Sequence, residues 1–222
     1  MDQFRGEPAV NIKGLLAMFA TLLIWVGFLL SLRAENHSPL TPTDLAVMRF
    51  GLPALFFLPW LLRSRQQVCG IKRRYGLMIM LGGLPFFYLI SLGSSFAPAA
   101  HAGALVPGTA PLFVTGLAVL LFKEPLPRSR MIGLLVIFSG VVVLLGSALL
   151  NADMTSAAQS YWKGHLAFLA ASLLWAFYTL GLRIVAIGAL EATALLSSGS
   201  LLGLGLLLAT GVVESNLLTV SW

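Results

Sequence analysis

The sequence predicts an all-α, polytopic membrane protein, that is, a bundle of transmembrane helices with an inverted repeat. Of its 222 residues, 58% are hydrophobic and 10% are charged, whereas a soluble domain carries about 25% charged residues. Seven apolar runs are each close to the roughly 20 residues that a helix needs to cross a bilayer. In addition, one segment of the chain occurs twice. These three observations together indicate the fold class.

The seven apolar runs define the predicted spans. Their length favours helices, because membrane strands need only about 10 residues with alternating character. Two runs contain helix breakers: Pro53 and Pro59, beside the charged Arg49, in the second, and Gly82, Gly83 and Pro85 in the third. Neighbouring helices can satisfy the backbone groups that a helix breaker frees, so both runs are retained as spans. The predicted spans are residues 14–32, 45–62, 76–96, 102–122, 131–150, 164–182 and 192–213.

The duplicated segment covers residues 13–33 and 163–183, which share ten identities in 21 positions. The matches include Trp25 with Trp175. Apolar composition alone would not readily place two tryptophans at equivalent positions of the two copies. Five spans separate the starts of the two copies, and an odd number of crossings reverses the chain direction. The repeat is therefore predicted to be inverted, as in secondary transporters whose halves meet at a site near the bilayer midplane.

The repeat also predicts the domain organisation. Residues 13–150 form a first repeat of five helices, residues 151–163 form a polar linker, and residues 164–222 form part of a second repeat with two helices. At the same offset a complete second copy would end near residue 300, so we expect three helices to be missing. Either the reading frame is truncated, or a second chain or homodimer partner completes the bundle.

The net charge of +6 is explained by membrane topology. Eleven of the 14 Lys and Arg residues fall on one predicted side, two fall on the other, and Arg49 lies within a span. Short loops rich in Lys and Arg face the cytoplasm, which predicts a cytoplasmic N-terminus in a multi-pass protein of the bacterial inner membrane type. The basic residues lack the interleaved aromatics of single-strand binding. The predicted partners are the lipid bilayer and a small solute, with no nucleic acid.

The sequence predicts no cofactor, no metal site and no enzymatic activity. Cys69 is the single cysteine, and the three histidines are scattered, so no metal-ligand spacing occurs. No phosphate-binding loop of the Gly-x-x-x-x-Gly-Lys-Ser/Thr type is present. The spans also hold almost no carboxylates, which an intramembrane enzyme would need to converge in its active site.

The fourth and fifth spans carry a family resemblance. They read AAHAGALVPGTAPLFVTGLAVLLFKEPLPRSRMIGLLVIFSGVVVLLG: an Ala-rich helix with an internal proline and a terminal glutamate, a short loop, and a helix with paired glycines. This pattern resembles the EamA domain of the drug/metabolite transporter superfamily, over residues 13–148 as a whole domain and 163–213 as part of a second. The matching residues are Trp25, Arg49, Pro111, Glu124, Gly133 and Gly140.

The resemblance implies a bundle of five plus five helices and export of small metabolites or drugs. With the inverted repeat, it leads us to expect a secondary transporter that exports amino acid-like or drug-like solutes by alternating access. Two alternatives stay open. The first is a truncated, non-transporting remnant or assembly component, which the missing helices would favour. The second is an intramembrane enzyme that acts on lipids.

Five uncharged residues are candidates for lining a substrate cavity. Trp25 lies roughly 16 Å along the first helix from its start, too deep for interfacial anchoring, and Trp175 is its equivalent; interhelical packing is the alternative. Tyr88 is mid-span and its hydroxyl needs a partner. Pro107 and Pro111 could break the fourth helix and present carbonyls to a solute, or they only kink it.

Three ionisable residues are candidates for substrate binding, coupling or gating. Arg49 is costly inside a bilayer, by about 2.5–3.5 kcal/mol, so it either serves a solute or snorkels to the outer interface. His101 opens the fourth span and titrates near neutrality, which suits a pH sensor as well as polar surface. Glu124 closes the same span and is a candidate for proton coupling, although the prolines after it also indicate a turn.

Overall fold

The fold is entirely helical in the part of the chain that the computed structural model describes, residues 12–35, 38–150 and 160–217. Seven helical stretches there are long and apolar enough to cross a membrane. The prediction of an all-α, polytopic bundle is confirmed. The helices are α1 Ile12–Glu35, α2 Pro42–Arg63, α3 Arg65–Cys69, α4 Arg73–Leu81, α5 Leu84–Phe96, α6 Ala99–Phe122, α7 Arg128–Leu150, α8 Tyr161–Val185 and α9 Ala189–Ala209.

The third predicted span is two helices, because the chain breaks between α4 and α5. Gly82 ends α4, and the N–H of Gly83 donates to the carbonyl oxygen of Met80 at 3.1 Å. Pro85 follows in the first turn of α5, where its missing N–H costs nothing. The sequence marked these breakers but predicted one continuous helix.

The last predicted span ends four residues early, at Ala209. Gly211 adopts a left-handed conformation with φ of 70°. The N–H of Val212 donates to the carbonyl oxygen of Leu207 at 3.1 Å, and that of Gly211 donates to Leu208 at 3.1 Å. This is the hydrogen-bond pattern of a Schellman motif, which ends the helix despite the apolar residue that follows. Most of the predicted linker, residues 151–159, lies outside the described residues.

Helix α8 packs against α4, α5 and α6, and a glycine lets it approach α5 closely. A Cβ atom on Gly164 would lie 2.5 Å from the Cβ of Ala97 and 2.8 Å from the carbonyl oxygen of Gly93. Gly93 in turn faces the ring of Phe168, a completely buried side chain. Small residues allow such close packing in lipid, where no hydrophobic force joins the helices.

Asp44 joins the start of α2 to the segment that follows α9. Its carboxylate accepts hydrogen bonds from the N–H of Thr41 at 2.7 Å, the hydroxyl of Ser215 at 2.5 Å and the N–H of Asn216 at 3.0 Å. The bond to Thr41 is half of a capping box that begins α2. Because α2 begins where α9 has ended, the two packed helices run antiparallel.

The contacts at the helix ends also fix the direction of α8. His101 and His165 meet near the starts of α6 and α8, and Glu124 and Arg183 meet near their ends, so these two helices are parallel. Arg33, near the end of α1, lines a small cavity with residues at the starts of α6 and α8, so α1 and α8 run in opposite directions. Opposite directions for α1 and α8, and for α2 and α9, are what an inverted repeat requires. The assignment of domain boundaries stays a prediction.

The outer surface of the bundle is suited to lipid. No residue in the most apolar part of α7 is buried. Large apolar side chains are also exposed, for example Ile24 at 72% and Val143 at 70%. A continuous apolar surface of this extent is unfavourable in water and favourable in a hydrocarbon core. The helices therefore contact the lipid bilayer.

Candidate functional site

A cavity of about 390 Å³ lies between α1, α6 and α8. Its wall is almost entirely apolar and aromatic, as is typical of small-molecule sites. Four of the eight predicted site residues meet there. The lining residues are Trp25, Val106, Pro107, Ala110, Pro111, Val114, Trp175 and Thr179.

The two tryptophans of the repeat touch in the wall of this central cavity. Their ring centroids are 6.1 Å apart and their planes are inclined at 72°, an edge-to-face contact worth about 0.5–1.5 kcal/mol beyond the area that it buries. Phe86 supports both rings from α5, with its centroid 5.0 Å from Trp175 and 6.4 Å from Trp25. Both indoles keep a partly exposed surface, so the same pair packs the helices and is accessible to a solute.

Pro107 and Pro111 line the central cavity without breaking the helix. Helix α6 runs from Ala99 to Phe122 through both prolines, so of the two predicted alternatives, a break and a kink, the break is absent. A proline has no N–H to donate to the carbonyl four residues earlier, which leaves the carbonyls of Gly103 and Pro107 without that helical bond. The hydroxyl of Ser172 donates to the carbonyl oxygen of Val106 at 2.9 Å and ties α8 to α6 at this level.

A second cavity, of about 470 Å³, lies beside the first, between α6, α7 and α8. The two cavities share Pro111 and Val114. The second cavity is polar at one end, where Glu124 Oε1 lies 2.7 Å from Arg183 Nη2. Arg130, in the first turn of α7, lines the same cavity.

The Glu124–Arg183 ion pair joins a residue that the sequence predicted, Glu124, to one that sequence reasoning missed, Arg183. Lys123, in a left-handed conformation with φ of 54°, ends α6 and turns the chain, which sets Glu124 beside the end of α8. The turn that the sequence predicted is therefore present together with an ion pair. Arg183 is the repeat equivalent of Arg33, and that identity was the signal that could have marked it.

Arg49 and Tyr88 lie beside the central cavity rather than in its wall. The guanidinium carbon of Arg49 is 3.8 Å from the ring centroid of Phe28, a cation–π arrangement that joins α2 to α1. Phe28 in turn contacts Trp25, with their centroids 5.9 Å apart. The hydroxyl of Tyr88 hydrogen-bonds that of Thr43 at 3.2 Å, which satisfies it within the α2–α5 interface.

His101 pairs with a second histidine near the opposite ends of α6 and α8. Its Nδ1 lies 2.8 Å from Nε2 of His165, which is 3% exposed. The ring of Tyr161 packs edge-on at 5.5 Å from that of His101. A hydrogen bond at this distance requires one ring to donate and the other to accept, so His101 holds a helix–helix contact. The sequence offered no signal for His165, whose equivalent in the repeat is Leu15.

Within the described ranges, seven apolar helices, three of which line the aromatic cavity, are the architecture of a polytopic membrane protein. Residues 12–146 match the EamA-like transporter family, and the chain belongs to that family. It is 26% identical over 167 residues to the uncharacterized transporter YoaV of Bacillus subtilis (strain 168), a match that covers 74% of this chain and 55% of the relative. The chain thus spans about half the length of that relative. No solved structure matches it.

The family match confirms the resemblance noted in the fourth and fifth spans. The matching family is one of transporters, and this points to transport rather than catalysis.

Proposed function

We propose that this transporter exports a small solute by alternating access, with the central cavity as the solute site. The observation that carries this proposal is the contact of Trp25 with Trp175 in the cavity wall. These residues are equivalent in the repeat, and the helices that bear them run in opposite directions. Sites of secondary transporters lie where such inverted halves meet.

The contacts between α6 and α8 supply the two gates that alternating access needs. Glu124–Arg183 closes one end of the helix pair and His101–His165 closes the other, with the central cavity between them. Arg183 is exposed, and exposed ion pairs contribute only about 0.2–1 kcal/mol. The ion pair is therefore a weak contact that can open, and we assign it to the cytoplasmic gate because the Lys- and Arg-rich loop after α6 is predicted to face the cytoplasm.

The cytoplasmic assignment makes a prediction for lysine accessibility. An impermeant amine reagent applied to intact cells should modify Lys163, at the histidine end of α8, and leave Lys13 unmodified. Short basic loops stay in the cytoplasm, so Lys72 and Lys123 should be protected as well. Detergent-permeabilised cells provide the control, in which all four lysines become reactive. Modification of Lys13 and Lys163 to the same extent in intact cells would contradict the proposed topology.

Cross-linking tests the gate and the transport function together. In a Cys69→Ala background, which removes the single natural cysteine, Glu124→Cys and Arg183→Cys place two thiols at the ion pair. A bis-maleimide that links them should stop counterflow of amino acid-like and drug-like solutes in reconstituted vesicles, because the gate can no longer open.

The single-cysteine variants, treated with the same reagent, are the matched controls and should keep their untreated rates. Flux that persists in the cross-linked protein would show that these ends do not separate during turnover. If the wild-type chain produces no saturable flux of any solute, transport by this chain alone is wrong.

A further inference from the structure

We propose that the combined cavity binds a water-soluble amphiphilic organic anion, with an aromatic or alkyl body and a single oxyanion group held by Arg130. The central cavity and the second cavity share Pro111 and Val114, so they adjoin, and we take them together as the combined cavity. This inference rests on the proposed function only in taking the central cavity as the solute site.

The central cavity selects the apolar part of the molecule. Its described wall consists of indole rings, prolines and aliphatic side chains, and its polar side-chain groups are the indole N–H groups and the Thr179 hydroxyl. That hydroxyl donates to the carbonyl oxygen of Trp175 at 2.8 Å and is therefore already used. With no charged side chain in its described wall, this part of the site favours an aromatic or aliphatic body.

The second cavity selects the charge. Its described wall carries two arginines and one glutamate, and the glutamate is paired with Arg183. Within the described ranges, the one salt bridge is this pair, so Arg130 contributes a net positive charge to the cavity. A single uncompensated cation beside an apolar chamber favours a monoanion over a neutral or cationic solute.

The position of Arg130 strengthens this preference. It is the third residue of α7, a helix of 23 residues, and the N-terminal end of a helix carries a partial positive charge. A guanidinium presents a planar set of donors that matches carboxylate, sulfonate or phosphate oxygens in bidentate geometry. These oxyanions are therefore the head groups that the site should accept.

Arg130 could instead serve only as a positive charge that sets the membrane topology. A comparison with Arg128 separates this role from solute binding. Both arginines lie in the first turn of α7, and both count equally as positive charges beside the membrane. Arg130 lines the second cavity and Arg128 is not among its lining residues. Only a binding role distinguishes them.

The test uses two permanently charged probes that share one body, 3-phenylpropane-1-sulfonate and trimethyl(3-phenylpropyl)ammonium. Binding to the full chain in nanodiscs of zwitterionic lipid is measured by calorimetry, and flux is measured separately in vesicles. The sulfonate should bind at least about tenfold more tightly than the ammonium, as expected for one charge-assisted hydrogen bond. Arg130→Gln should remove that preference, and Arg128→Gln should keep it.

Several results would overturn the proposal. These are equal or tighter binding of the ammonium, failure of both probes to bind, or the same loss from Arg128→Gln as from Arg130→Gln. Binding of short-chain phosphatidylglycerol without binding of the sulfonate would also overturn it, because the anion would then be a lipid head group. Sulfonate binding without vesicle flux of any solute would instead refute the transport mechanism and support this site. Flux of the ammonium alone would refute the anion preference and support transport.

Discussion

Replacing Trp175 by alanine should reduce transport strongly while the protein still folds and inserts. The substitution removes one of the two indoles that line the cavity, along with the edge-to-face contact with Trp25 and the contact with Phe86. Truncating a tryptophan at the centre of a binding site typically costs at least about 2 kcal/mol, which corresponds to about 30-fold weaker binding. Solute affinity in vesicles, from the concentration dependence of counterflow, measures the effect.

Trp162→Ala is the matched control for this substitution. Trp162 lies on the same helix, is 48% exposed and does not line the central cavity, so its loss should leave solute affinity within about twofold, in line with surface substitutions in general. Trp25→Ala should resemble Trp175→Ala, and the double variant should lose less than the sum of the two because the rings touch. Equal losses from Trp162→Ala and Trp175→Ala would mean that the central cavity is not the solute site.

Gly164→Ala should destabilise the fold more than any other substitution that adds a single methyl group to α8. The new Cβ would lie 2.5 Å from the Cβ of Ala97 and 2.8 Å from the carbonyl oxygen of Gly93. Neither atom belongs to a flexible side chain, so α5 and α8 must move apart as whole helices. Overpacking of this kind costs about 1–3 kcal/mol, occasionally more. Thermal unfolding in a mild detergent, followed by the loss of helical signal, measures it.

Gly133→Ala provides the same chemical change without the collision. A Cβ on Gly133 meets no atom within 4 Å in the described structure. The free energy of unfolding of this variant should therefore lie within about 1 kcal/mol of the wild-type value, which is the difference in helix propensity between glycine and alanine. If both variants unfolded at the same temperature, close packing of α5 on α8 would not be a determinant of stability.

The helices could be predicted from the sequence because hydropathy over about 20 residues is a local signal. The internal repeat is a second signal, which relates positions 150 residues apart, and it indicated that Trp25 and Trp175 are equivalent. Where neither signal existed, the sequence was uninformative. The His101–His165 bond depends on the register of two helices, which apolar composition leaves open.

The glycines show the same limit. The family pattern drew attention to the paired glycines Gly133 and Gly140, yet a Cβ on either meets no atom within 4 Å in the described structure. The close approach of α5 and α8 lies instead at Gly93 and Gly164. Spacing along one helix reveals which residues share a face, but the partner that the face meets is a property of the assembled bundle.

The Asp44 cap has a mechanical consequence for the proposed transport cycle. One carboxylate joins the entry of α2 to the exit of α9 through hydrogen bonds to Thr41, Ser215 and Asn216. Any rearrangement that preserves these bonds moves α2 and α9 together as one rigid body. Relative sliding during turnover is then confined to the rest of the bundle, above all to α1, α6 and α8 around the indole pair.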